Sequence, residues 1–588
     1  MGRPFIFDLG DVSGGQNDSA AELIADNEMA ELSNFFVDTA SLRRRPGKDL
    51  VATYSEEILT VARYRSSVDA VETILLGCAA SIARVNGATI TAIEVSDGRV
   101  YPSLTTRWWA EQYGDEMFWC RRGNGGIKRL YGTASMEAGI AAPTVAPIVA
   151  DGGAGKKSAG AYQLAYRYYN SVTGARSNWS PASKPITILD DHQLQATQIG
   201  VSSSQQVNAR QIGATYPDAA IIYLVGQIDD NVTTTFYENA LAPDEYGEAD
   251  VDVNGNPQTD TRHGPPPDQA WALAVHKERL FVLNKDGLFF SEPGWMQSFK
   301  ASSFIPVQNG TGLISWERHG LVILCEGETK ILEGDTPGDF RLETLSREHG
   351  CPSGKASAIA DGVLFWYTGQ NIVASSGNTP QILPKNPYIR GTLDLIPEAS
   401  KSDVVAETIP GRQWFVLSIP TASSRKLVVF DYMRSAFQTF PAGPKTIARF
   451  MRTTKAETLY AAFAGDTTLY EYMTGTDDYG TPISAALLTK NYGDDSRGML
   501  KLTRRVNVLC PQTAGTCEIK VYHDGAVVAT RSGLSLNAAG WKRFNVNTSS
   551  QPGTHVQVRL TYDSLPELRI DQMQVEGVLL VGRRPRPA

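Results

Sequence analysis

Asp250, Asp252 and Asn254 stand at alternate positions ahead of Gly255, a spacing that lets side-chain oxygens wrap a hard cation such as calcium while the glycine permits the sharp turn. Thr261 occupies the place of the closing bidentate glutamate, so the three residues are a weak metal candidate, and the alternative is a polar turn. Gly152 to Ser158 superficially looks like a phosphate loop, but Ala150 stands where its first glycine belongs, and the stretch reads as a linker. Seven histidines form no HExxH pair, and no GxSxG elbow is present. The six cysteines lack zinc spacing and are expected as buried free thiols, with Cys510 and Cys517 facing each other across a hairpin without a disulfide. Some propellers hydrolyse glycosides with paired carboxylates, but no Asp or Glu here sits in a distinctive motif, and Glu326-Gly327-Glu328 reads as a solvated turn. The chain is therefore expected not to be an enzyme and to use no cofactor.

Two basic clusters remain. Arg43, Arg44 and Arg45 could bind phosphates, pair with acidic neighbours, or protect a strand edge from stray pairing. Arg583, Arg584 and Arg586 form a short C-terminal tail with the same choices. Both clusters are assigned to subunit or partner contact.

The elements that would position these groups are mainly strands. Short apolar runs closed by Gly, Asn or Asp recur from Tyr54 onward, for example Thr73–Gly77 with Ser81–Gly87, Arg279–Leu283 with Leu288–Ser291, and Val363–Tyr367 with Ile372–Ala374. Hairpins repeating every 30 to 50 residues, each too small to bury its own face, predict a β-propeller-like core; unrelated sandwiches are the alternative. The cadence breaks between Gly139 and Pro267, where alternating Tyr162–Tyr169 predicts an inserted immunoglobulin- or fibronectin-like β-sandwich. From Thr481 the strands alternate again, predicting a C-terminal β-sandwich. The expected division is an N-terminal clasp motif (1–50), first propeller hairpins (51–138), the inserted sandwich (139–267), remaining blades (268–475) and the C-terminal sandwich with its basic tail (476–588). Within the clasp, Asp26 as N-cap and the spacing of Met29, Leu32 and Phe36 predict one short helix, followed by an extended arginine strand.

At 588 residues the chain is too long for one core, and a formal charge of −8 argues against binding DNA by neutralising its phosphates. The N-terminus lacks an apolar signal region and the most apolar stretch, near Ile74, is too short to span a bilayer, so cytoplasmic folding and no membrane segment are expected.

Gly14-Gly15, Asn34, Leu42-Arg43-Arg44-Arg45-Pro46-Gly47, then His276-Lys277-Glu278-Arg279-Leu280-Phe281 leading to Phe290-Ser291-Glu292-Pro293-Gly294, come in an order that resembles tail nozzle proteins of short-tailed bacteriophages. These are also called tail tubular protein B or packaged-DNA stabilisation proteins. Glu343–Gly350 and Ala358–Trp366 continue the resemblance over most of the chain. It implies a virion tail protein assembled in the host cytoplasm as a six-fold ring below the portal adaptor. Its partners would be identical subunits, the adaptor ring, and tail fibres, spikes or a needle, with double-stranded DNA passing without specific binding. The rival expectations are a carbohydrate- or receptor-binding tail propeller, and a tail-tip or hub protein of a long-tailed phage.

Overall fold

The computed structural model describes residues 3–580 except 22, 40, 68–71, 96–103, 105, 124–125, 132–133, 240–261, 385, 452–456, 494–498, 512–514 and 549–550. Asp250, Asp252, Asn254, Arg583, Arg584 and Arg586 lie outside the described residues.

The strand-rich sequence folds as a β-propeller with two sandwiches. Seven blades are present among the described residues, their inner strands being Ile58–Arg65, Trp109–Tyr113, Ala272–His276, Gly310–Trp316, Ser357–Ala360, Val405–Ile409 and Thr446–Met451 (blades I to VII). Each inner strand packs against the next, and that of blade VII against that of blade I, which closes the ring. Because blade faces are covered on both sides, their middle strands are continuous apolar runs: every residue of Gly320–Cys325 and of Trp414–Pro420 is buried. The C-terminal strands Thr516–His523 and Val556–Tyr562 instead alternate between buried and open positions, as a sheet with one packed face requires.

The ring is closed by the N-terminal segment. Blade VII supplies three strands from residues 446–474, and its fourth, outermost strand is Gly47–Thr53, antiparallel to Thr468–Thr474. Gly47 is required there, since a Cβ would lie 1.6 Å from the Asp477 carbonyl oxygen. Blade VI is extended at its outer edge by Gly15–Gln16 and Glu28–Ser33, which run parallel to Ala436–Phe440 and carry the sheet on into Ala485–Thr489 and the C-terminal sandwich. Gly15, at φ +77°, could not carry a Cβ without meeting the Phe437 carbonyl at 2.6 Å. The opposing sheet of that sandwich starts with Arg3–Leu9 paired to Gln572–Leu580. One core, including Phe5, Leu32, Val508, Ile519, Leu560 and Val575, joins the two sheets.

The first fifty residues, expected as one clasp, are thus shared among several sheets, and the short helix expected near Met29 is absent. Met29 and Leu32 share a buried face because a bulge between Met29 and Glu31 shifts the strand by one residue, and Asn34 at φ 56° re-aims the chain so that Phe35 is buried too. Phe36, the third residue of the expected helical face, does not join them: it is half-buried against Trp414 of blade VI. The Gly152–Gly155 stretch is likewise no linker: it lies in the strand Ile148–Lys157, which carries two register shifts against His192–Thr197.

The inserted sandwich packs Leu164, Tyr166, Leu194 and Ile212 in its own core. It leaves the ring between blades II and III, and blade VI, which continues into the C-terminal sandwich, stands across the ring from that junction. The two sandwiches are therefore rooted on opposite sides of the propeller. Among the described residues no helix is long and apolar enough to cross a membrane.

Gly47→Ala should lower the urea-unfolding free energy by at least about 1–3 kcal/mol through overpacking at the closing strand. Gly327→Ala, where a Cβ would meet nothing within 4 Å, should stay within about 0.5 kcal/mol of the parent.

Candidate functional site

The three clustered arginines divide between structure and surface. Arg44 is 2% exposed and donates to the carbonyls of Thr476 (2.6 Å), Leu565 (2.7 Å) and Ser564, tying blade VII to the C-terminal sandwich. Arg45, 3% exposed, donates from Nε to the Asn34 side-chain oxygen at 2.7 Å and pairs with Asp478 at 2.5 Å. Asn34 in turn donates to the Ser484 carbonyl at 2.6 Å. Subunit contact by Arg44 and Arg45 is therefore corrected: both are consumed inside their own chain, and neither can meet a phosphate. Arg43 remains at the surface, 2.7 Å from Asp38 across the hairpin.

Of the other sequence candidates, Lys157 of the phosphate-loop lookalike is buried in an ion pair with Glu238 at 3.0 Å. All six cysteines are buried and unpaired, Cys510 and Cys517 included, and burial pushes the Cys517 thiol up to about 12. No group of three metal-ligating side chains is found among the described residues.

The structure draws together a different set. In a four-stranded antiparallel blade, the turn leading into the first strand and the turn between the second and third lie on the same face of the propeller. On that face, at the mouth of the axis, a cavity of about 570 Å³ is lined from blades II to VI. Trp109 begins the inner strand of blade II, Trp271 directly precedes that of blade III, and Lys355 and Asp403 stand two residues before those of blades V and VI. Arg122 and Glu326 reach in from the middle turns of blades II and IV.

The Lys355 ammonium sits 3.6 Å from the Trp109 ring centroid, and the Arg122 guanidinium 4.5 Å from that of Trp271, both cation–π contacts. Asp403 pairs with Arg107 at 3.0 Å and with Arg425 at 2.8 Å. Within the ring, Glu111, Lys355 and Glu407 are half-buried. Desolvation raises the Glu111 carboxyl to about 7 against the opposing pull of Lys355, and lowers the Lys355 amine to about 8 against that of Glu111. Glu407 is also raised, chiefly by desolvation. These residues are far apart in sequence and carry no shared motif; the only local hint was the density of cations and indoles at Arg107-Trp108-Trp109 and Arg121-Arg122.

No family model and no curated protein matches the chain. Among solved structures it is similar to a glycoside hydrolase family 43 arabinoxylan arabinofuranohydrolase from Bacillus subtilis, at 11% identity over 65% of this chain and 93% of that one, with a TM-score of 0.19. It is also similar to an exo-β-1,3-galactanase from Phanerochaete chrysosporium, at 7% identity over 88% and 99% of the two chains and TM-score 0.16. A third is the extracellular domain of BT4673 from B. thetaiotaomicron, at 10% identity over 87% and 75% and TM-score 0.24. At such scores these likenesses carry no argument for a particular activity. They do overturn one expectation: with glycoside hydrolases among the similar structures, the chain is no longer held to be a non-enzyme.

Arg45→Ala should cost about 3 kcal/mol in denaturant unfolding, the low end for a broken buried pair because Asp478 keeps some solvent contact. Arg43→Ala should cost under about 1 kcal/mol. A carboxyl whose folded pKa lies above its unfolded value binds more protons when folded, so the Glu111 contribution to stability falls as pH rises from the ordinary glutamate range near 4.5 to about 7. The stability difference between parent and Glu111→Gln, measured by urea unfolding across that window, should therefore shift in favour of the variant as pH rises.

Proposed function

We propose that the chain is a structural subunit of the tail nozzle of a short-tailed bacteriophage, one of six in a ring below the portal adaptor that retains packaged DNA and conducts it on ejection. The observation carrying this reading is the rooting of two sandwiches on opposite sides of one propeller. A subunit built this way offers separate surfaces to two neighbours, as heterologous contacts in a closed ring demand. The resemblance residues Gly15, Asn34, Arg44, Arg45 and Gly47 support it further, because they build the junction between propeller and C-terminal sandwich. The net charge of −8 suits a conduit that must not hold its DNA.

A second reading, a glycan-binding tail propeller, draws on the mouth cavity, whose volume and flanking Trp109 and Trp271 are those of a small-ligand site. Glycan-array binding without ring formation would favour it.

Sedimentation of the purified chain mixed with its adaptor ring should yield a complex with six copies. A strictly monomeric chain that ignores the adaptor would contradict the nozzle reading.

A further inference from the structure

The outer sheet of the C-terminal sandwich buries one face and shows the other. Its strands lie in the order Arg3–Leu9, Gln572–Leu580, Leu500–Cys510 and Gly540–Asn545. Their register sends Phe5, Val506, Phe544 and Val575 into the core and sets Ile6, Arg505 and Arg543 on the far side, because neighbours along a strand alternate. One end of that free face is apolar, with Ile6 62% and Leu500 37% exposed. The other end is basic: Arg505 and Arg543 are exposed beside Trp541, and Arg531 of the facing sheet donates to the Asn545 carbonyl at 3.4 Å. Two carboxylates stand between the ends, both engaged by amides: Asp8 accepts from Gln572 at 2.7 Å, and Glu576 from Asn507 at 2.5 Å. A contiguous apolar patch with arginines and a tryptophan at its margin has the make-up of a protein-binding surface.

The inserted sandwich ends in chemistry of the opposite sign. Its near end is held to the propeller, since Gln206 donates to the Gly139 carbonyl at 2.7 Å. The strands Leu164–Tyr169 and Ala209–Thr215 pair Tyr169 with Ala209 at that end and Leu164 with Ala214 at the other. At the far tip the turns are tied together: the Ala159 N–H donates to Asp190 at 2.6 Å and the Ala161 N–H to Asp218 at 3.2 Å. Four exposed aspartates, Asp151, Asp190, Asp191 and Asp218, outnumber Lys156 and Lys184 there, and Leu189 projects among them, 67% exposed.

We propose that the acidic tip of the inserted sandwich docks on the basic, apolar face of the C-terminal sandwich of the next copy of this chain. The inference rests on the ring reading and names the surfaces that make the ring. The two sandwiches are rooted on opposite sides of the propeller, so complementary surfaces that belong to one chain meet between copies. A contact between two different surfaces, repeated by a rotation that closes, is what a cyclic ring requires. Leu189 supplies the apolar anchor, and the aspartates face Arg505, Arg531 and Arg543.

Sedimentation velocity of the full chain, under the condition in which the parent forms rings, tests the contact with three variants. Arg505→Glu with Arg543→Glu reverses the face. Leu189→Lys with Asp190→Asn and Asp218→Asn reverses the tip while keeping the side-chain oxygens that hold its turns. Each should weaken ring formation at least tenfold, and a one-to-one mixture should give pairs that grow no further, since each variant keeps one working surface; pairing also shows that both are folded. Val172→Lys, exposed but at the propeller end of the sandwich, should assemble as the parent does. Where a multiple variant fails to fold, Arg543→Glu or Leu189→Lys alone replaces it. Rings that form equally well in the face and tip variants overturn this contact and leave the ring reading standing, and so does a loss confined to adaptor binding, which would assign the face to the adaptor. Folded variants that stay monomeric in the mixture overturn the contact as well. A parent that is monomeric at every concentration, with the adaptor ring or without it, overturns both.

Discussion

A ring of blades holds only when its last sheet is completed, and here the completing strand comes from the other end of the chain. Gly47–Thr53 must find Thr468–Thr474, more than four hundred residues later, before blade VII has its outer edge. Loop-closure entropy grows only slowly with length, so the thermodynamic cost of so distant a pairing is modest, but the folding route to it is long. The contacts that secure it lie within a few residues of the closing strand: Arg44 bonds through its terminal nitrogens to carbonyls after blade VII and in the C-terminal sandwich, and Arg45 to Asn34, Pro46 and Asp478. Side chains that would be costly to bury unpaired become, with their terminal nitrogens hydrogen-bonded, the fastening of the fold, although the Arg44 Nε is buried without a partner.

The same segment couples the propeller to its sandwich. Gly15–Gln16 and Glu28–Ser33 belong at once to the edge of blade VI and to the first layer of the C-terminal sandwich, so the two bodies share one sheet and not merely a linker. Phe35 and Phe36 point into different cores: Phe35 into that of the sandwich, and Phe36 against Trp414 of blade VI at 5.3 Å. Such a joint is a shared sheet with no linker between the two bodies. The mouth follows different physics. Its wall is built from residues at or just before the starts of successive inner strands and from the blades' middle turns, so indoles and charges separated by hundreds of residues converge because the blades repeat.

Much of the architecture was legible. Turn-bounded apolar runs marked the blades, and clean alternation in Tyr162–Tyr169 and Val556–Leu560 marked the sandwiches, because burial on one face or two writes itself into residue spacing. The N-terminal segment misled for a physical reason: one bulge puts Met29 and Leu32 on one buried face, while Phe36 turns to a different core, and only the pairing with Ala436–Phe440 and Ala485–Thr489 reveals it. Arg43 to Arg45 were visible as a cluster but not as a mixture of fastening and surface residues, since burial of Arg44 and Arg45 depends on carbonyls and a carboxylate from residues 476 to 565. The mouth left almost no trace, because Trp109, Trp271, Lys355 and Asp403 have nothing in common until the ring closes.

The proposed place of this chain is a ring in a phage tail. A cryo-electron-microscopy reconstruction of the virion tail tests it most directly. The account predicts six copies below the portal adaptor, each with its propeller flanked by sandwiches that touch the two neighbouring subunits, around an open channel. Finding the propeller at the tail periphery, in a copy number other than six, or absent from the particle would contradict it.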